Sequence, residues 1–160
     1  YGEQRVLNAL QKEFDYAFSD QNYSGLPKMS LFPITCEPFP IQGVRVIPVR
    51  AIHGRLPILG FRIGPLGYLT DASRIEDREL EKFVGVELFV VSTVQRTPHK
   101  THFSLSQAID VATRVGAPTS LLTHLSHSLE PHRELACMLP PGICPAYDGQ
   151  VIEIPFKGNG

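Results

Sequence analysis

The sequence predicts one domain of the α/β class, a layered sandwich of helices and sheet. Strand-like segments come first and are separated by prolines and glycines rather than by helices. Helical patterns then alternate with short runs rich in valine and leucine, an order typical of strands linked by helices. The 160 residues suffice for one hydrophobic core, and they contain no internal repeat or linker. We therefore expect a single domain over residues 1–160.

The first half of the chain is predicted to hold one helix followed by strands. Apolar residues recur at helical spacing within residues 2–14, which predicts an amphipathic helix. Between residues 15 and 48, frequent prolines and glycines favour strands and turns. Residues 44–49 form the clearest strand of this region.

The middle of the chain alternates between strand and helix patterns. Residues 60–64 and 68–70 are predicted strands joined by a Gly-Pro-Leu-Gly turn. Residues 75–84 carry apolar side chains at helical spacing among charges, which predicts a helix with a solvated face. Residues 86–91 are almost uninterruptedly apolar, as expected of a strand buried on both faces.

The helix predicted over residues 104–115 has signals at both ends. Ser104 and Gln107 have the spacing of a capping box, and Gly116 is a typical helix stop. The remaining predicted elements are a buried strand at residues 118–123, a short helix at 130–138 and, after an Asp-Gly turn at Asp148 and Gly149, a last strand at 150–154.

Composition excludes several classes of protein. With 42% hydrophobic residues, 19% charged residues and a formal net charge of −1, the chain is neither disordered nor basic enough to bind nucleic acid by charge. Cys36, Cys137 and Cys144 fit neither a disulfide framework nor a zinc knuckle, which favours a cytoplasmic location. No apolar run reaches the roughly 18 residues of a membrane helix, so no membrane partner is expected.

Three polar residues follow predicted strands closely. His53 lies after the strand at 44–49, Asp71 after that at 68–70 and His124 after that at 118–123. Ligand sites of α/β sheets are built at the carboxyl ends of strands, and imidazole and carboxylate are ligands for zinc, manganese and iron. These positions predict a shared metal site.

Four segments carry a family resemblance. They are AIHGRLPILGFRIGPLGYLTDAS, TPHKTHFSLSQAI, LLTHLSHSLEPH and PAYDGQVIEI, in this order along the chain. They resemble the signature segments of metallo-β-lactamase-fold hydrolases, in the branch that contains the cyclic-phosphate phosphodiesterase of phosphonate breakdown. The resemblance implies an αββα layered sandwich.

The resemblance also implies roles for the matched residues. His53 would bind one metal ion, Asp71 would bridge two through its carboxylate, and His124 would bind the second. His102 would contact the substrate phosphate, stabilising its charge or helping to protonate the leaving group. Asp71 and His102 are thus the expected catalytic residues. His99 is interpreted either as a second substrate-binding residue or as a surface residue.

One part of the family pattern does not occur in this chain. The leading motif, histidine-x-histidine-x-aspartate-histidine, supplies about half of the metal ligands in the family, and residues 1–52 contain no histidine. The resemblance therefore implies a fold that is incomplete at its N-terminal side and a site that lacks ligands. A truncated chain and a short natural form both agree with this.

Each site residue also has a purely structural interpretation. His53 could be a turn residue beside Gly54, Asp71 could cap the helix predicted at 75–84, and His124 could bind the backbone of its loop. His102 could be an exposed loop residue. We also interpret His127 as a residue that orients a ligand or caps a helix, His132 as an exposed helix residue and Asp148 as a turn residue.

Three hypotheses about function follow. The first is a phosphodiesterase that uses two divalent ions (manganese, zinc or iron) to activate a hydroxide against a small phosphodiester. The second keeps the site but hydrolyses a thioester, a lactam or an RNA 3′ end, so nucleic acid stays open as a substrate. The third is a scaffold without catalysis whose metal site has degenerated. A homo-oligomer is compatible with each of them.

Overall fold

A computed structural model gives the fold of residues 1–18, 27 and 29–154. The strand and turn region predicted for residues 15–48 lies partly outside these described residues. The chain divides into two compact units, Tyr1–Glu37 and Pro38–Gly160. Within the described residues, no helix is both long and apolar enough to span a bilayer.

The first unit is built around one helix. Helix α1 spans Gln4–Glu13, inside the range predicted from its apolar spacing, and it buries Leu7. A short 3₁₀ turn follows at Asp15–Ala17. Gly2 forms an isolated parallel bridge with Pro33, which ties the start of the helix to the end of the unit.

The second unit contains a mixed sheet whose first half is antiparallel. Its opening strands pair with their neighbours in the chain, because short turns can join only antiparallel strands. Strand β5 pairs instead with the end of the second strand. The strands are β1 (Phe39–Ile41), β2 (Val44–His53), β3 (Leu56–Ile63), β4 (Leu66–Leu69) and β5 (Arg74–Ile75).

The second half of the sheet is parallel. Strands β6 (Leu88–Ser92), β7 (Thr119–Thr123) and β8 (Ile143–Pro145) continue from β4, so the path of the sheet is β1-β2-β3-β4-β6-β7-β8. The strands predicted at residues 86–91 and 118–123 are present as β6 and β7, and the α/β class is confirmed. Within the described residues there is one sheet, which forms a single β layer of the expected sandwich.

Helix α3 covers the parallel strands and matches its prediction closely. It spans Leu105–Val115 and packs against β6. The hydroxyl of Ser104 accepts from the Gln107 N–H, and the Gln107 side chain accepts from the Ser104 N–H, which completes the capping box. Gly116 ends the helix in the left-handed conformation, with φ of 68°.

The prediction of a helix at residues 75–84 is wrong for the first part of that range. Ile75 lies in β5, where it pairs with Ala51 of β2. The helical part is short, with α2 at Asp77–Leu80 and a 3₁₀ turn at Glu81–Phe83. The apolar spacing correctly predicted that Leu80 and Phe83 are buried. At Ile75, pairing with β2 outweighs the helical preference that the spacing indicated.

The last part of the chain also differs from the prediction. Helix α4 spans His132–Met138, close to the predicted 130–138. Gly149 has φ of 82° in the expected turn, but residues 150–154 form no strand, and Val151 is 85% exposed. The strand at this edge is β8, which buries its Ile143 and Pro145 beside β7 and leaves the later apolar residues without a partner.

A partly buried carboxylate links α2 to the strand that carries His53. Glu79 accepts a hydrogen bond from the Arg50 backbone N–H of β2 (2.7 Å) and one from the Lys82 ammonium (2.8 Å). Burial acts to raise the pKa of Glu79, but these two hydrogen bonds and the charge of Lys82 outweigh it. The pKa of Glu79 is therefore lowered from its ordinary value.

We expect Glu79→Gln to remove this charged contact. Because the pKa of Glu79 is lower in the folded chain, its stabilisation is complete above about pH 4.5 and is lost as the pH falls through the folded pKa. Glu79→Gln should lower the free energy of unfolding at pH 7 by about 1 kcal/mol. Urea denaturation at pH 7 and pH 3.5 measures this. A difference from wild type that stays the same at both pH values would contradict the assignment.

Candidate metal centre

Strand ends place three polar residues at the same edge of the sheet. His53 is the last residue of β2, Asp71 is the second residue after β4, and His124 directly follows β7. Strands β4 and β7 are both parallel to β6, which lies between them, so their carboxyl ends point the same way. The topology therefore brings Asp71 and His124 together across one intervening strand.

Asp71 lies at the centre of a cluster of imidazoles. Its Oδ1 is 3.6 Å from Nδ1 of His102 and 3.7 Å from Nε2 of His124. Nε2 of His53 is 3.4 Å from Nε2 of His102. Donor atoms of His53, Asp71 and His102 all lie within 4.8 Å of one another. All four residues predicted to form the site are thus neighbours.

Two of these residues have an unusual backbone conformation. Asp71 has φ of 56° and His124 has φ of 59°, in the left-handed region. Such a backbone costs about 1–2 kcal/mol for a residue with a side chain, and it persists where surrounding contacts fix it. One such contact at Asp71 is visible: its N–H donates to the hydroxyl of the fully buried Ser92 (2.9 Å).

A tight turn fixes the position of His53. Gly54 follows it with φ of 65°, as the first central position of a two-residue hairpin turn of type II′ requires. The Ser73 hydroxyl accepts from the Gly54 N–H and donates to the Ile52 carbonyl, both at 3.0 Å, so it holds the chain on both sides of His53. A Cβ on Gly54 would come within 2.9 Å of Thr101, beside His102.

His102 lies on the loop between β6 and α3 and is held from its C-terminal side. The next residue, Phe103, is buried, and its N–H donates to the Ala72 carbonyl (2.7 Å). Its carbonyl accepts from the buried Thr93 hydroxyl (3.3 Å). The His102 side chain is 16% exposed, so the interpretation of an exposed loop histidine is wrong.

The electrostatics of the cluster favour a neutral His102. Burial lowers the pKa of this imidazole, and His53 lowers it further, against the opposite effect of Asp71. Its Nδ1 is buried without a hydrogen-bond partner. A neutral imidazole with an unsatisfied buried nitrogen has unused capacity for a ligand.

The other expectations have mixed outcomes. His99 is exposed, and its ring lies 5.2 Å from that of His102, so it borders the cluster. Asp71 does not cap α2, because the N-cap residue there is Glu76.

The sequence did not predict a cavity beside His124, which is lined by His132, Tyr147 and Asp148, among others.

The donor set fits a divalent metal ion. Imidazoles and a carboxylate are ligand types that zinc, manganese and iron accept, and Oδ1 of Asp71 lies 3.7 Å from Nε2 of His124. The left-handed backbone at Asp71 and His124 agrees with this, since conformational strain concentrates at functional sites.

Known proteins share both the sequence pattern and the fold. The profile of the Beta-lactamase superfamily domain matches residues 1–125. A protein of Porphyromonas gingivalis (strain ATCC BAA-308 / W83) named octanoyltransferase is 38% identical over 160 residues, which is 99% of this chain and 32% of that protein. The chain thus spans about a third of this curated relative.

Solved structures agree with the profile. A diphosphatase described as a new member of the PhnP family is 32% identical with a TM-score of 0.85, over 94% of this chain and 55% of that one. The fold alone is shared with the metallo-β-lactamase fold protein YhfI from Bacillus subtilis (18% identity, TM-score 0.69, 96% of this chain and 64% of that one). The fold is also shared with Zn(2+)-bound PqqB from Methylobacterium extorquens (12% identity, TM-score 0.74, 96% of this chain and 64% of that one). The chain belongs to the β-lactamase superfamily, and it shares the metallo-β-lactamase fold.

Proposed function

We propose that this chain forms part of a metal-dependent phosphodiesterase. The observation that carries the proposal is the position of Asp71, whose single Oδ1 lies within 3.7 Å of two imidazoles that come from different loops. Such a shared carboxylate suits the bridging role that the family resemblance implies. Phosphodiester hydrolysis requires stabilisation of the negative charge on the phosphoryl oxygens, which divalent ions held by these residues would supply.

We assign the metal ligands to His53, Asp71 and His124. His53 would hold one divalent ion, His124 a second, and Asp71 would fix the spacing between them through its carboxylate. When bound, the two ions supply Lewis acidity and lower the pKa of water to near neutrality. Zinc, manganese and iron all suit these donors.

His102 has a different role in this proposal. Its lowered pKa keeps the ring neutral at pH 7, so it carries one N–H and one lone pair. The N–H can donate to a phosphoryl oxygen, which stabilises the negative charge that grows there during hydrolysis. His99, whose ring is near that of His102, would contact the same phosphate from the solvent side.

The relatives support a phosphorus substrate and leave a second candidate. The structural relative at 32% identity is described as a diphosphatase, an enzyme that also cleaves a bond to phosphorus. The curated relative is named octanoyltransferase, and this chain matches 32% of it. Acyl chemistry on a thioester is therefore the second candidate. A panel that contains bis(p-nitrophenyl) phosphate and an octanoyl thioester separates the two.

We expect substitutions at the centre to separate metal binding from catalysis. In the full-length gene product, Asp71→Asn and His124→Ala should each lose bound metal and phosphodiesterase activity together. His102→Ala should keep its metal and lose about 100-fold or more in kcat, because it removes one hydrogen bond to the developing charge. Elemental analysis of the purified variants and steady-state kinetics measure both quantities.

His127→Ala is a matched control, since His127 is an exposed histidine three residues beyond His124 and makes no hydrogen bond to any described residue of the cluster, unlike the ligand-orienting residue that the sequence suggested. It should retain both metal and activity. Loss of metal in His102→Ala would show that His102 is a ligand and would contradict the assigned roles. A wild-type protein without metal and without turnover would support the non-catalytic scaffold instead.

The turn after His53 gives an independent prediction. Gly54→Ala places a methyl group against Thr101, whereas Gly43, the site of the control variant Gly43→Ala, also has a positive φ (81° against 65°) but nothing within 4 Å of an added Cβ. Both variants should lose about 1–2 kcal/mol of stability from the backbone. Metal affinity and kcat should fall in Gly54→Ala alone, because His53 and His102 are displaced. Equal activity of the two variants, measured side by side, would refute this coupling.

A further inference from the structure

A cavity of about 500 Å³ adjoins the metal centre at His124. We call it the side cavity; besides His124, its lining includes His132, Tyr147 and Asp148. Its volume falls within the range of about 300–1,000 Å³ that is usual for small-molecule sites. Because His124 belongs both to this lining and to the Asp71 cluster, a molecule bound at the centre has room to extend into the side cavity.

The aromatic part of the lining is held in place by the fold. Nε2 of His132 contacts the Pro145 carbonyl at 3.0 Å, which joins the start of α4 to the end of β8. The Ala146 N–H donates to the Leu122 carbonyl (2.9 Å), so the chain that leads to Tyr147 is fixed to β7. The rings of Tyr147 and His132 meet edge to face, with centroids 5.9 Å apart.

Tyr147 offers a large surface for a ligand. It is 60% exposed, although its backbone is anchored on both sides, since its N–H also donates to the Gln150 side chain. An anchored but exposed aromatic ring is a stacking platform, which binds planar rings at little cost in conformational entropy.

Two polar side chains of the side cavity, those of His132 and Asp148, offer hydrogen-bond acceptors. A carbonyl can only accept, so the contact with Pro145 assigns a proton of His132 to Nε2, and in a neutral imidazole the other ring nitrogen, Nδ1, is an acceptor. Asp148 adds a carboxylate, which also accepts and repels anions. These two acceptors suit a planar, uncharged group with N–H donors.

We propose that the side cavity binds the organic group attached to the scissile phosphate, and that this group is an aromatic ring with an amino substituent, the chemistry of a nucleobase such as adenine. Tyr147 stacks on the ring, while Asp148 and His132 accept hydrogen bonds from its amino group. This inference rests on the proposed phosphodiesterase function and specifies its substrate class.

Binding of adenosine and of purine riboside, which lacks only the 6-amino group, tests the inference in the full-length gene product. Titration calorimetry should show that adenosine binds more tightly. Tyr147→Ala should weaken both ligands about tenfold through lost stacking, and Tyr147→Phe should leave both unchanged. Asp148→Asn keeps a residue suited to the turn and should weaken adenosine alone.

The same variants separate this inference from the proposed function. If the protein hydrolyses bis(p-nitrophenyl) phosphate, and adenosine binds equally well to wild type and to Tyr147→Ala, the side-cavity inference is wrong and the phosphodiesterase function stands. Adenosine binding that depends on Tyr147 without hydrolysis of any phosphodiester would support the cavity as a nucleobase site and refute the phosphodiesterase. Equal affinity for the two nucleosides in wild type would overturn the role of the acceptors.

Discussion

The site depends on one constraint, the location of the Asp71 carboxylate between imidazoles delivered by separate loops. Two imidazoles lie 3.6–3.7 Å from this carboxylate, which is itself held by a left-handed backbone and by a hydrogen bond to a buried serine. Ser92 ends β6 and accepts from the Asp71 N–H, so the central parallel strand fixes the residue beside it. The sheet thus acts as a rigid base for the donor atoms.

The loops above the sheet are coupled to one another as well as to the core. Ser73 holds the turn that carries His53, and the space beside Gly54 is filled by Thr101 of the loop that carries His102. Phe103 anchors that second loop in the core. Displacement of one loop therefore moves the donor atoms on the other loop. This coupling is the reason why a methyl group added at Gly54 is expected to affect metal binding and kcat.

Elements that rest on local sequence signals were predicted from the sequence, whereas features that depend on tertiary structure were not. The capping box of Ser104 and Gln107 lies within four residues, so the sequence alone is sufficient to predict it. Asp71 was identified from its place after a strand, but its left-handed backbone depends on Ser92, 21 residues away. Strand β8 has a proline in three residues and exists because β7 offers an edge. The side cavity joins residues from α4 and from the following turn, which no sequence pattern connects.

Anomalous diffraction from crystals of the full-length gene product at the zinc and manganese absorption edges tests whether Asp71 holds a metal ion. We expect a cation within about 2.0–2.2 Å of a carboxylate oxygen of Asp71 and a ring nitrogen of His124. Crystals grown with these metals that show no anomalous peak near Asp71, or that show the cation bound elsewhere, would contradict it.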